Sequence, residues 1–212
     1  MKIIEPSVEL AEDFDAVAVM RKIERAGRVC YKSEANITDD SAEKFIRGII
    51  KRGHESVIEH ASVSFKIVCD RGVTHELVRH RIASYSQEST RYCDYGAGKF
   101  GGELTFIKPC FWDDDDENFQ LWLSTMELLE KNYLAMRANA AKPEEARSIL
   151  PNSLKTEIFV TMNLREWRHF LRLRTAKAAH PQMRQVALKI FDILNEKLPA
   201  IFGDIEIKER LT

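Results

Sequence analysis

The stretch Ala61-Ser62-Val63-Ser64-Phe65-Lys66-Ile67-Val68-Cys69-Asp70 decides how the chain is read. Ala61, Val63, Phe65, Ile67 and Cys69 alternate with Ser62, Ser64, Lys66 and Asp70. That is the period of a half-buried strand, because successive side chains leave a pleated backbone on opposite faces. Upstream the period is helical. Phe45, Ile46, Ile49 and Ile50 keep helical spacing, Asp40-Ser41-Ala42-Glu43 resembles a capping box before them, and Gly53 supplies the stop. A first helix is predicted over 7–28, followed by a polar loop through Asn36.

Downstream, residues 74–78 predict a short helix, and 79–95 is polar without sustained periodicity. Residues 104–107 read as a second strand. The acidic run 113–117 precedes a helix over 119–138, where carboxylates favour the N-terminus and stay solvated. Pro143 suits the first turn of a helix ending near Leu150-Pro151. Residues 155–162 predict a strand with Ile158, Val160 and Met162 on one side, and helices follow over 164–174 and 181–198. Helices mixed with separated strands predict an α+β fold, a central, mostly antiparallel β-sheet flanked by helices, in one domain spanning 1–212.

Composition excludes several classes. An apolar share of 44% with 31% charged residues belongs to an ordinary globular chain, and a net charge of -1 gives no bulk pull toward nucleic acid or membrane. No stretch approaches the roughly 20 apolar residues that span a bilayer. The opening Met1-Lys2-Ile3-Ile4-Glu5-Pro6 lacks a secretory apolar region, and Cys30, Cys69, Cys93 and Cys110 are far apart. Reduced thiols in a cytoplasmic protein are expected.

Two patterns fail on mechanism. Gly96-Ala97-Gly98-Lys99-Phe100-Gly101 has the letters of a dinucleotide fingerprint, but that mechanism needs a preceding strand and a following helix, and Glu103-Leu104-Thr105-Phe106-Ile107 reads as a strand. In His54-Glu55-Ser56-Val57-Ile58-Glu59-His60 the histidines are six apart. They would point about 120° apart on a helix, or sit roughly 20 Å apart on a strand. A shared zinc ion, and with it a metal hydrolase, would need a kinked loop; no metal is expected.

The chemistry concentrates in Arg79-His80-Arg81-Ile82-Ala83-Ser84-Tyr85-Ser86-Gln87-Glu88-Ser89-Thr90-Arg91-Tyr92. Arginine's planar fork suits bidentate phosphate binding, hydroxyls add further contacts, and backbone amides in a tight turn can cradle an anion. A surface loop whose arginines pair with nearby acids is an equal reading of the same residues. Arg165, Arg168, His169 and Arg172 form a second basic group on one helical face, again readable as a phosphate site or a solvated face. Asn163, with Glu166 three residues later, also reads as an N-cap. A nucleic-acid module built on both clusters is the rival from another class, and near-zero net charge argues against it.

The chain resembles the flavin-dependent thymidylate synthases. Their signature, Arg-His-Arg, seven residues, then Ser, stands here as Arg79-His80-Arg81 and Ser89, with Arg91 following. Gly53-His54-Glu55-Ser56 with Glu59-His60, Ser84-Tyr85-Ser86-Gln87, Ala146-Arg147 to Leu150-Pro151, Asn163-Leu164-Arg165 and Leu173-Arg174 occur in matching order, so the resemblance covers about residues 25–198. It implies an FAD site of Arg79, His80, Arg81, Ser56, Gln87, Asn163, Leu164, Arg165 and His169, with His54 close to the flavin ring. It implies a deoxyuridylate (dUMP) site of Arg79, Gln87, Glu88, Ser89, Thr90, Arg91, Arg147 and Arg174, and Glu76 matches another nucleotide-contacting position.

Some relatives carry Gln at position 76 and Asn at 169. A sugar hydroxyl or water suits Glu76 better than a phosphate, and His169 would use a different hydrogen bond. At Thr90 a backbone contact is expected rather than a side-chain one. The implied reaction methylates dUMP to thymidylate with methylenetetrahydrofolate as carbon donor and FAD reduced by NADPH as hydride source. Arg174 is the implied catalytic group, stabilising negative charge on the uracil ring. Family precedent implies a homotetramer with active sites shared between subunits, and neither nucleic acid nor membrane as a partner. Ser89 has no positioned base and no evident orienting carboxylate, and the cysteines lack an activating context, so covalent catalysis by either is not expected.

Overall fold

The computed structural model describes residues 1–98 and 101–207. Lys99 and Phe100 of the glycine-rich stretch lie outside the described residues.

The strands form two sheets. β1 (Lys2–Ile4) pairs in parallel with β5 (Thr105–Ile107), placing Ile3 opposite Phe106. The larger, antiparallel sheet has the order β2 (Ser7–Leu10), β3 (Ser62–Asp70), β6 (Lys155–Asn163), β4 (Ala83–Gln87). The β3–β6 register is bracketed by the Leu164 amide donating to the Ala61 carbonyl at 3.0 Å and the Arg71 amide donating to the Leu154 carbonyl at 3.1 Å. The expected α+β architecture is the one observed.

Two compact units divide the chain: Met1–Ser7, Ile67–Arg79 and Ser86–Ile158 in the first, and Val8–Lys66, His80–Tyr85 and Phe159 onward in the second. The first unit's core joins Tyr95, Leu104, Phe106, Met126, Tyr133 and Leu154. Its helices are α3 (Arg71–Leu77), α4 (Glu117–Ala138) and α5 (Pro143–Ala146), the last running into a 3-10 turn, Arg147–Ile149. Asp116, the end of the acidic run's aspartates, caps α4 by accepting from the Asn118 amide at 2.7 Å.

The second unit holds α1 (Ala16–Val29), α2 (Ser41–Lys51), a 3-10 helix (Glu55–His60), α6 (Leu164–Arg174), α7 (Pro181–Lys197) and α8 (Pro199–Phe202). Phe65 meets Trp167 edge-on at 5.1 Å, and the Trp167 indole N–H donates to the Val63 carbonyl at 2.9 Å. These contacts hold α6 over β3. Among the described residues no helix is long and apolar enough to cross a membrane.

Three expectations are corrected. The helix predicted from residue 7 begins at Ala16, where the Asp15 carboxylate accepts from the Val17 and Ala18 amides. Residues 7–10 instead alternate exposed Ser7 and Glu9 with half-buried Val8 and Leu10, and form β2. No capping box closes α2: Asp40 accepts from the Thr38 hydroxyl, and Glu43 is drawn along the helix to Arg47. The polar stretch after Arg79 contains a strand, β4, whose inward positions Ala83, Tyr85 and Gln87 lack aliphatic contrast with its outward serines.

The entry into α3 matters for the candidate site because α3 carries Glu76 and leads into Arg79. Asp70, buried at 4% exposure, caps it by accepting from the Val73 amide at 2.7 Å. Asp70→Ala is expected to lower unfolding free energy by about 0.5–2 kcal/mol, with Asp70→Asn retaining most of it, measured by urea denaturation. Equal stability in all three proteins would contradict the capping role.

Candidate active site

In the first unit, Glu76 lies in the last turn of α3 and Arg79 in the turn after it, exposed. Gln87 closes β4, its carboxamide nitrogen donating to the hydroxyls of buried Thr74 and Thr156 at 3.0 and 3.2 Å. Glu88 follows with every polar group engaged. Its carboxylate accepts from Tyr95 Oη (2.6 Å), Lys155 Nζ (2.9 Å) and the Glu157 amide (3.2 Å). Its amide donates to the Glu157 carbonyl, and its carbonyl accepts from Arg71 Nη1.

Glu88 thereby pins the chain from which Ser89, Thr90 and Arg91 turn. The Ser89 carbonyl accepts from the Tyr92 and Cys93 amides, closing that turn. Arg147 stands at the start of the 3-10 turn, with Nη1 3.5 Å from the hydroxyl of buried Thr90, and Arg91 lies 3.9 Å from Glu144. Gln87, Glu88, Thr90 and Arg147 are thus gathered around one loop. Ser89 Oγ accepts from the Arg91 amide at 3.3 Å.

In the second unit His80 is the hub. Its ring is 5% exposed and packs edge-on against Phe170 at 5.0 Å and His169 at 5.7 Å. Arg174 Nε donates to His80 Nε2 at 3.1 Å, while His80 Nδ1 lies 3.3 Å from a Glu166 carboxylate oxygen. The Tyr85 hydroxyl donates to the His80 carbonyl at 2.7 Å. Burial, then the charge of Arg174 and then His169, lowers the His80 pKa to about 4, so its link to Glu166 is a hydrogen bond at neutral pH, not an ion pair. Burial raises the Glu166 pKa.

Two hollows lie in the same unit, the first lined in part by this cluster. One, about 490 Å³, is lined by Glu55, Glu59, Ile82, Asn163, Arg165, Glu166, His169 and Arg172. The other, about 380 Å³, includes Gly27, Tyr31, Phe45, Ile49, His54, Ser56 and Val57, and shares Glu55 and Arg165 with the first. Tyr31 Oη lies 3.2 Å from His54 Nδ1. Arg165 pairs with Glu59 at 2.5 Å and Arg172 with Glu55 at 3.1 Å, both arginines about half exposed. Asn163 caps α6 through the Glu166 amide at 2.8 Å and also lines the first hollow. Leu164 is fully buried, and Arg81 is exposed.

The basic face read from α6 is not uniform. Arg168 is fully buried, bidentate to Asp204 at 2.6 and 2.7 Å, and further bonded to Glu55 and the Ile201 carbonyl. It is structural, because a guanidinium at 0% exposure needs its charge and donors satisfied by the protein. Glu166 and Glu55 are the site residues that sequence reasoning passed over. Glu166 was legible as the third residue of a cap, a local pattern that conceals its bond to a ring 86 positions away.

Among the described residues, the group whose ligand atoms approach closely enough to share an ion is His80, Glu166 and His169, within 4.8 Å. His54 and His60 do not join a third ligand in such a group among those residues. Both nitrogens of His80 already face partners in the protein, one of them a guanidinium. The four cysteines are free thiols, and burial raises the pKa of Cys69 and Cys110.

Residues 16–200 match the family described as thymidylate synthase complementing protein. The chain belongs to this family. It is 36% identical over 220 residues to the flavin-dependent thymidylate synthase of Mycobacterium avium (strain 104), covering 95% of this chain and 85% of that protein. It is 40% identical over 162 residues to the enzyme of the same name from Pyrococcus furiosus, covering 76% of this chain and 66% of that one. In fold it is similar to the UMP/dUMP methylase PolB from Streptomyces cacaoi, with a TM-score of 0.76, 24% identity and 96% coverage of both chains. The family resemblance carried by the arginine-histidine-arginine signature is therefore correct.

Because His80 is held neutral, the unfolded chain binds more protons than the native one between its ordinary pKa of 6.5 and about 4. Its contribution to stability is fully present above the upper value and is lost as pH falls through that window, at up to ~1.4 kcal/mol per pH unit. Urea midpoints measured from pH 7.5 to 4 are expected to fall less steeply in His80→Gln than in the wild-type protein. Parallel profiles would contradict a neutral buried histidine.

Proposed function

We propose that this chain methylates dUMP to thymidylate, taking the carbon from methylenetetrahydrofolate and using FAD reduced by NADPH. Membership of a family whose relatives are named flavin-dependent thymidylate synthases supports the reading. The observation that carries it is local: Arg174 Nε bonded to the signature histidine, His80, across 94 residues of sequence. The whole chain is proposed to act as one functional domain, assembled as a homotetramer with shared sites, in the cytoplasm.

The residues around the two hollows fit an FAD dinucleotide. Such a group asks for cations at its pyrophosphate, hydrogen-bonding groups at its ring system and some apolar wall. Arg165 and Arg172 supply the first, Asn163, His169 and His54 the second, and Phe45, Ile49 and Val57 the third. Ser56 adds a hydroxyl, and Leu164 a buried floor under the Asn163 turn. His80, with Arg79, Arg81 and Gln87, is proposed to complete this set. The flavin, when bound, supplies hydride.

For the nucleotide, Arg79, Arg147 and Arg91 are proposed to meet the phosphate by charge-assisted bonds, worth about 1.5–3 kcal/mol each. Ser89 and Thr90 offer hydroxyls and backbone amides, and Glu76 a sugar contact. Gln87 and Glu88 carry different weight. The Glu88 carboxylate is already held three ways, so its proposed contribution is to fix the loop against which dUMP lies. Gln87 anchors the loop's entry from the same unit.

Arg174 is the proposed catalytic group. A guanidinium aimed at the uracil ring stabilises the negative charge that develops as C5 becomes nucleophilic, and a preorganised group of this kind lowers a barrier by about 3–4 kcal/mol. Arg174→Ala is expected to cut thymidylate formation by roughly 10²–10³-fold. Flavin reduction by NADPH should remain measurable in the same protein by bleaching of the flavin absorbance. Wild-type thymidylate formation by the variant would overturn this assignment.

A further inference from the structure

We infer that Glu166 is a positioning residue: it fixes the ring tautomer of His80 that receives the Nε–H of Arg174, and so sets the plane of the Arg174 guanidinium. This rests on the catalytic role proposed for Arg174 and adds a residue that the family signature does not contain.

The proton assignment follows from donor chemistry. A guanidinium Nε always carries hydrogen and has no acceptor. At 3.1 Å from Arg174 Nε, His80 Nε2 must therefore offer its lone pair. A neutral imidazole keeps one proton, which then resides on Nδ1, the nitrogen 3.3 Å from the Glu166 carboxylate. The opposite tautomer would set two N–H groups against each other on one side and leave two acceptors facing on the other. Burial of the ring and the charge of Arg174 disfavour the doubly protonated form.

Glu166 is built to hold this position. It stands in the first turn of α6, its amide bound by the Asn163 side chain at 2.8 Å, and it is 8% exposed. The His80 ring has Phe170 against it, its backbone carbonyl is tied by Tyr85, and its two nitrogens are aimed at Glu166 and Arg174. The carboxylate–imidazole half of this chain uses the logic by which a buried acid fixes a catalytic histidine's tautomer elsewhere. Here the histidine moves no proton. It converts the carboxylate's fixed place into a fixed direction for a cation eight residues further along the same helix.

The test uses the full chain loaded with FAD and labelled with nitrogen-15 histidine, the His80 signals being assigned from their absence in His80→Gln. Wild-type protein at pH 7.5 is expected to show His80 protonated at Nδ1 and bare at Nε2. Glu166→Gln, which can still accept from Nδ1–H, should keep that pattern and most of the turnover. Glu166→Asp, whose carboxylate falls one methylene short, should lose the single-tautomer pattern and about 10–100-fold in kcat, by analogy with the loss when the hydrogen-bond partner of a metal-bound histidine is removed. KM for dUMP should move far less than kcat.

An Nε2–H tautomer in the wild-type protein would overturn the inference, as would wild-type kcat in Glu166→Asp while Arg174→Ala is inactive. Should Arg174→Ala retain full turnover while the tautomer still follows Glu166, the reading of Arg174 fails and the His80 geometry stands. Melting temperatures and bound FAD, measured on each variant, separate a lost orientation from a lost fold. If Glu166→Asp does not fold, the wild-type tautomer and its persistence in Glu166→Gln decide the matter.

Discussion

The site depends on one hydrogen bond, from Arg174 Nε to His80 Nε2. It links the last turn of α6 to the segment between α3 and β4, and it requires an uncharged imidazole beside a permanent cation. Burial supplies that condition. With the histidine neutral, no second positive charge faces the half-buried guanidinium across this bond.

Around this bond the protein treats its other cations in two ways. Arg168 is consumed by Asp204, Glu55 and a carbonyl, and holds α6 in place. Arg165 and Arg172 are half exposed and paired to Glu59 and Glu55 at the edge of the hollows. Exposed pairs of that kind contribute little to stability. Their partners can be exchanged for an anionic ligand at small cost. One helical face thus divides into a buried structural charge and two half-exposed ones, according to depth alone. In the first unit Glu88 makes a similar division, giving up its own carboxylate to Lys155 and Tyr95 so that the residues after it turn in a fixed loop.

Much of this was legible in the sequence, and the failures have physical causes. β3 was readable because Val63, Phe65 and Ile67 contrast sharply with Ser62, Ser64 and Lys66. β4 was not, because Ser84, Tyr85, Ser86 and Gln87 present polar groups to both faces, and alternation without contrast leaves no period to detect. β2 was absorbed into a helix because four residues are too few to show a period of two against the helical run that follows. Helical spacing put Arg168 beside Arg165 and Arg172, but burial depends on Asp204, which arrives 36 residues later. The arginine-histidine-arginine motif marked His80 as important without disclosing that its partners would be Glu166 and Arg174. Asn163 was readable as a cap, which it is, and its place on the hollow adds a second surface to the same side chain.

The most direct measurement is the absorbance spectrum of the purified protein, recorded as isolated, after incubation with FAD and gel filtration, and during titration with dUMP. The account expects retained flavin bands at about one FAD per chain, perturbed saturably by the nucleotide. Colourless protein that takes up no added FAD would contradict it.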